Sequence, residues 1–141
     1  MAARGRSKTL KRQRPLSRNG EIRTARDRLA TERGTITKDW GGRLPFALVY
    51  PNSYYLGMSN LGLQAIYQLL NAKVDVVCER AFFDPPQQGR TRPDVVSVES
   101  QRPLTDYPVV AYTLTYELDY YQVVQSLRSA RIPVLSDERS D

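Results

Sequence analysis

The 141-residue sequence contains no histidine and a single cysteine, Cys78. Without an imidazole the chain cannot by itself build a Ser-His-Asp triad, a Cys-His nucleophile pair or a His-ligated metal centre. One thiol excludes an internal disulfide, and a thiolate zinc site or an iron–sulfur cluster needs several such ligands. No apolar run approaches the roughly 18 residues of a membrane-spanning helix, and no apolar block follows the charged N-terminus as in a secretory signal. The expectation is a cytoplasmic protein without membrane contact. With 40% hydrophobic and 26% charged residues, the composition suits one globular domain with a modest core.

What charge there is lies unevenly. Residues 1–34 hold 11 Lys and Arg against 3 Asp and Glu, whereas residues 35–141 hold 10 against 12. The first 34 residues offer only Leu10, Leu16, Ile22 and Leu29 as large apolar groups, too few to offset the entropy of ordering them. They read as a basic, disordered tail with weak helix from Ile22 to Arg33. Such a tail can hold RNA or another polyanion through phosphate contacts alone. Its lack of an aromatic for base stacking favours a plain solvated tail.

Residues 35–141 read as α/β. Phe46 to Tyr50 is an apolar run entered by Pro45 and closed by Pro51-Asn52-Ser53, the pattern of a strand buried on both faces. Ser59 or Asn60 can cap a helix with apolar positions Leu63, Ile66, Tyr67 and Leu70, and Asn71 suits its end. Val74 to Cys78 reads as a second strand, making a right-handed parallel crossover. Residues 84–94 form a proline-rich loop, and Val95 to Glu99 a short edge strand. Pro108 to Tyr116 is predicted to lie centrally beside the first strand. A helix follows, starting at Glu117 or Asp119 with Tyr120, Val124 and Leu127 facing inward, and Ile132 to Leu135 can begin another strand. The predicted fold is a doubly wound, flavodoxin-like or Rossmann-like, mostly parallel sheet that is incomplete at its C-terminal side.

In such sheets ligands lie outside the carboxyl ends of the strands. The loop after the first strand supplies Asn52, Ser53, Tyr54, Gly57 and Ser59, and the turn after the later strand supplies Thr113, Thr115 and Tyr116. Together they offer hydroxyls, an amide, a glycine for close approach and aromatic cover for a flat ligand. Elsewhere, Cys78 reads as a small buried apolar residue, Trp40 as an anchor of the tail, and Arg102 as a partner for a carboxylate. Glu79, Glu99 and Glu117 read as separated carboxylates without visible pairing.

The segments KDWGG at 38–42, ALVYPNSYYLGMSNLGLQAIYQLLN at 47–71, VCER at 77–80, VESQRPL at 98–104 and LTYELDYYQVV at 114–124 resemble the N-terminal region of cobalamin-binding-domain-containing radical S-adenosylmethionine (SAM) proteins. The resemblance spans nearly all of residues 38–135 and implies a cobalamin-binding-like domain occupying residues 35–141. It also implies a following barrel with a Cys-x-x-x-Cys-x-x-Cys motif for a 4Fe–4S cluster and S-adenosylmethionine. That motif is not in this sequence, so the chain alone is not expected to be catalytic, and the cluster-bearing radical SAM module is its implied partner. Histidine-ligating cobalamin domains carry Asp-x-His-x-x-Gly after the first strand. Here the similar register reads Asn52-Ser53-Tyr54-Tyr55-Leu56-Gly57, so cobalamin, if held by these residues, receives no histidine ligand from this chain. The family's later Gly-Gly would fall after Asp141. A cofactor-free interaction domain using its basic tail on a polyanion is the alternative; flavin or nucleotide binding is disfavoured by the lack of a glycine-rich phosphate loop.

Overall fold

The computed structural model describes residues 18–84 and 94–139. Helix α1 (Arg18–Thr31) leads into strand β1 (Leu44–Tyr50), a single-turn helix α2 (Tyr54–Met58), helix α3 (Leu61–Asn71) and strand β2 (Val76–Phe82). Strand β3 (Val109–Tyr112) and helix α4 (Leu118–Ser129) follow. The three strands are all parallel in the order β2-β1-β3. The chain therefore crosses from β1 to β2 on one side and returns to β3 on the other, which places its helices on opposite faces. Alternation along β1 shows the two layers directly. Leu48 and Tyr50 pack with Leu63, Tyr67 and Leu29 on the α3 and α1 face, while Ala47 and Val49 pack with Leu104, Tyr107 and Ile132 on the other.

Pro45 lies inside β1 without breaking it. Leu44 N–H donates to Asp75 O, so the Pro45 nitrogen faces the opposite side, where pairing with β3 begins only at Phe46 and Val109. The second strand sits later than Val74–Cys78 and carries Glu79 and Arg80 in its interior. Its outer edge is closed by side chains. Lys38 Nζ donates to Val76 O, the Asn71 amide exchanges two hydrogen bonds with the Cys78 backbone (2.9 and 3.0 Å), and Glu99 accepts from Arg80 N–H while Val98 N–H donates to Arg80 O. Asn71 thus ends α3, as expected, and also substitutes for a neighbouring strand.

Several expectations are corrected. Residues 18–34 are not a detached tail, because α1 starts four residues before Ile22 and delivers Leu29 and Glu32 to the body; residues 1–17 lie outside the described part. Val95 to Glu99 forms only isolated bridges to Ala81 and Pro103. Gln101, at φ 57°, turns the chain so sharply that Ser97 N–H bonds to Arg102 O instead of a strand partner. Strand β3 pairs with β1 as expected, but among the described residues it is the outermost strand on that side rather than a central one, and it stops at Tyr112. The N–H groups of Thr115 and Tyr116 are taken by the carboxylate of Asp119 in the first turn of α4 (2.6 and 3.1 Å), so they are not available to a sheet neighbour. Tyr120 faces outward at 66% exposure and Ile66 is also exposed, so neither belongs to an inner stripe. Ile132 to Leu135 is not a strand. Arg131 is left-handed (φ 59°) and Ile132 N–H returns to Leu127 O, a helix-terminating turn, and Arg139 then binds the carbonyls of Pro133 and Val134. Most of the proline-rich segment 84–94 lies outside the described residues. No described helix is long and apolar enough to cross a membrane.

Candidate functional site

The point where strand order reverses lies between β1 and β3, and there the two strands release their loops at the same end. Val49 stands opposite Tyr112, and Thr113 N–H donates to Val49 O at 3.0 Å. The structure thus brings Asn52, Ser53 and Thr113 to one end of the sheet, as the topology of such folds requires of a ligand crevice.

Within this end the predicted residues divide by what their polar atoms already do. Asn52 Oδ1 accepts from Ser53 N–H, and Ser53 Oγ caps α2 by accepting from Leu56 N–H at 3.3 Å. Ser59 closes α2 and donates its hydroxyl to Tyr55 O. It is therefore not the cap of α3, which is Asn60, accepting from Leu63 N–H at 2.8 Å. Thr115 is bound through N–H and hydroxyl to Asp119, whose carboxyl lies below the usual range: burial alone would raise it, but these bonds outweigh burial. Tyr116 is half exposed, near Leu114 and Leu118, which are exposed as well. Thr113 differs from all of these. Its hydroxyl oxygen is buried and has no hydrogen-bond partner among the described residues, an unsatisfied position that costs stability unless something meets it.

Gly57 is a packing residue. A Cβ there would stand 2.4 Å from Phe82 Cε1 and 3.0 Å from Tyr50 Cδ1, so α2 can lie on the sheet only because this residue has no side chain. Gly57→Ala is expected to cost about 1–3 kcal/mol through overpacking, measured as a lower urea midpoint with unchanged slope.

Tyr54 points away from any axial-ligand role. Its hydroxyl donates to Glu32 Oε1 at 2.6 Å, its ring meets Phe82 edge-on at 5.1 Å, and the Arg28 guanidinium lies 4.4 Å over its face. Burial first, then the bond to Glu32, push the phenol up to about 12, so it is a neutral donor at physiological pH. Glu32 in turn accepts from Arg80 Nη2 at 2.5 Å and from Thr35 at 2.9 Å. Burial would raise its carboxyl, yet the bonds from Tyr54 and Arg80 hold it below the ordinary value.

Arg80 is the centre of this buried network. Its side chain is 2% exposed, its Nε donates to Glu99 Oε1 at 2.8 Å, and its guanidinium stacks 4.5 Å over the Tyr67 ring. Burial pushes the Glu99 carboxyl up, with Arg80 opposing. Glu79, the preceding residue on β2, points to the other face. There it accepts from Trp40 Nε1 at 2.8 Å and Tyr107 hydroxyl at 2.6 Å, and also from Ser100. Glu79 and Glu99 are thus separate carboxylates, as expected, but each is held by partners that the sequence did not display outright. One signal in the sequence could have shown it: Arg80 continues the apolar run Val76-Val77-Cys78 of a strand covered on both faces, and a buried guanidinium requires acids. Arg102 does reach a carboxylate, Asp106 at 3.9 Å, and lies 4.1 Å over Trp40. Cys78 is fully buried and its thiol is pushed up to about 12, chiefly by burial, which leaves it inert.

A cavity of about 250 Å³ opens elsewhere, at the C-terminal end of α4 between Val95, Pro103, Ser129 and Arg131, and none of the predicted contact residues lines it. Among the described residues no group of acidic or cysteine side chains could hold a metal ion. A family model described as radical SAM proteins, N-terminal, matches residues 62–141, more than half of the chain. The chain belongs to the radical SAM proteins. No curated protein and no solved structure matches it. The matched part of this radical SAM protein runs from α3 through β2 and the Glu99 turn to α4, so it includes both buried carboxylate sites and the Thr113 end of the crevice.

Proposed function

We propose that this N-terminal region of a radical SAM protein is a non-catalytic cobalamin-binding-like domain that receives a flat ligand of the corrin class at the carboxyl ends of β1 and β3. The observation that carries the reading is the buried, unpartnered hydroxyl of Thr113 at the switch point. The residues fit a corrin held by its periphery. Thr113 supplies an unpartnered hydroxyl, the locally bonded Asn52 and Ser53 supply a polar rim, and Tyr55, Leu114 and Tyr116 supply exposed apolar surface. Tyr54 does not serve as cobalt ligand, since its phenol is neutral and already donates to Glu32. When bound, the corrin supplies cobalt–carbon or radical chemistry; this chain contributes binding and orientation. The 4Fe–4S cluster and S-adenosylmethionine belong to a partner module with its own cysteines, because the single thiol here is buried.

Titration of residues 1–141 with hydroxocobalamin tests this by equilibrium dialysis and visible spectroscopy. The expected result is binding with the spectrum of the cofactor unchanged, as no side chain replaces its axial ligand. Thr113→Val is expected to weaken it about tenfold, the loss of one hydrogen bond that only the ligand completes. Absence of binding would favour the cofactor-free interaction domain, in which the basic residues 1–34 hold RNA or another polyanion and the exposed Leu118, Tyr120 and Tyr121 dock a partner.

A further inference from the structure

We propose that Glu32 is a positioning residue of the candidate site: α1 carries its carboxylate to the Tyr54 hydroxyl and so holds the loop Asn52–Gly57 in place at the carboxyl end of the sheet. This rests on the reading that the loop meets the ligand. Helix α2 is only five residues long, and a single turn does not sustain itself in water. It needs anchors, and the structure supplies two. Gly57 lies against Phe82 and Tyr50, which fixes the C-terminal half. Tyr54 fixes the N-terminal half through Glu32, Phe82 and Arg28.

Glu32 can act as a fixed post because its other oxygen is held independently. Oε2 accepts from Arg80 Nη2 and from Thr35, and Arg80 is pinned on its far side by Glu99, which also accepts from the Arg80 backbone N–H. The position of the Tyr54 hydroxyl is thereby tied to β2 through two charge-assisted bonds. Arg28, one turn earlier on α1, lies over the same ring and pairs with Asp84 at 3.6 Å. Helix α1 is in this way mechanically coupled to the ligand-side loop. A role limited to neutralising Arg80 would need neither the bond to Tyr54 nor the Arg28 contact with its ring.

The experiment uses residues 1–141 with Tyr54→Phe, Glu32→Gln and Glu32→Ala. Tyr54→Phe leaves the Glu32–Arg80 pair intact and removes only the hydroxyl, so it remains informative if Glu32→Ala fails to fold. Amide exchange is read at Leu56, Gly57 and Met58, with α3 as internal reference. The expected result is exchange on the order of tenfold faster in the loop for Tyr54→Phe and Glu32→Ala, none in α3, and a smaller effect for Glu32→Gln, which keeps an acceptor. Hydroxocobalamin affinity is expected to fall by a similar factor. Unchanged loop exchange in Tyr54→Phe would overturn the assignment. Failure of the unaltered chain to bind the corrin would sink the cofactor reading alone, and loop exchange would still decide the role of Glu32.

Discussion

Arg80→Met is expected to lower the stability of the domain by about 3–5 kcal/mol at pH 7, the cost of stranding carboxylates that were paired inside a protein. Both Glu99 and Glu32 lose their principal cation, and Glu99 is left with no exposed side-chain surface. The deficit carries a pH signature. Burial already raises the Glu99 carboxyl above its ordinary value, and loss of the guanidinium raises it further, so the carboxyl takes up a proton more readily in the folded variant than in the unfolded chain. Stability of the variant therefore improves as pH falls toward and through that raised value. In the unaltered protein Arg80 opposes that rise at Glu99, and other carboxylates pull the other way. Glu32, Glu79 and Asp119 are held below their ordinary values, and their contribution, complete above the unfolded carboxylate range, is lost as pH falls through the depressed ones. Urea unfolding of both proteins at pH 7 and pH 5 should show the gap narrowing. A gap that widened on acidification would mean the network does not carry the charge states described.

Asn71→Ala is expected to cost about 2–4 kcal/mol, because two buried backbone groups of Cys78 lose their only described partner and each such group costs about 1–3 kcal/mol. The amide of Asn71 bonds to the Cys78 nitrogen at 3.0 Å and to its oxygen at 2.9 Å. Asn71→Asp is the instructive companion. It keeps the acceptor for Cys78 N–H but places carboxylate against Cys78 O, so it should be at least as damaging at neutral pH and partly relieved in acid. Thermal unfolding followed by circular dichroism measures both. If the alanine variant unfolded with the unaltered protein, the outer edge of β2 would have to be satisfied by something other than Asn71.

The parallel crossover was legible because its signals are local. The double-sided apolar run at Phe46–Tyr50, the Asn60 cap and the Leu63–Tyr67 spacing each state their element within a few residues, and β1, α3 and β2 follow in the expected order. Edges and ends were less so. Strand β2 lies later than its composition suggests because Glu79 and Arg80 look like a loop until their partners on opposite faces are known, and those partners are Trp40, Tyr107, Glu32 and Glu99. Distances along the chain of 19 to 48 residues separate Arg80 from its acids, far beyond what periodicity reports. Val95–Glu99 and Ile132–Leu135 have strand-like composition, but a left-handed residue beside each redirects the backbone, and composition does not encode that. At the candidate site, the topology correctly brought Asn52, Ser53 and Thr113 to one end, whereas the competing engagements of Tyr54, Ser59 and Thr115 depend on contacts with Glu32, Tyr55 and Asp119 that only the folded chain displays.

The side chains along β2 give the sheet a direction of growth. Lys38, Asn71 and Glu99 occupy successive outward backbone groups of that strand, so an incoming chain finds no free ladder there, a block against edge-to-edge association. No described strand pairs with the opposite border of β3. Among the described strands the free ladder is therefore on the β3 side, next to Thr113 and the switch point. The described sheet thus has one closed border and one open one, and the open border lies beside the crevice rather than across the molecule from it.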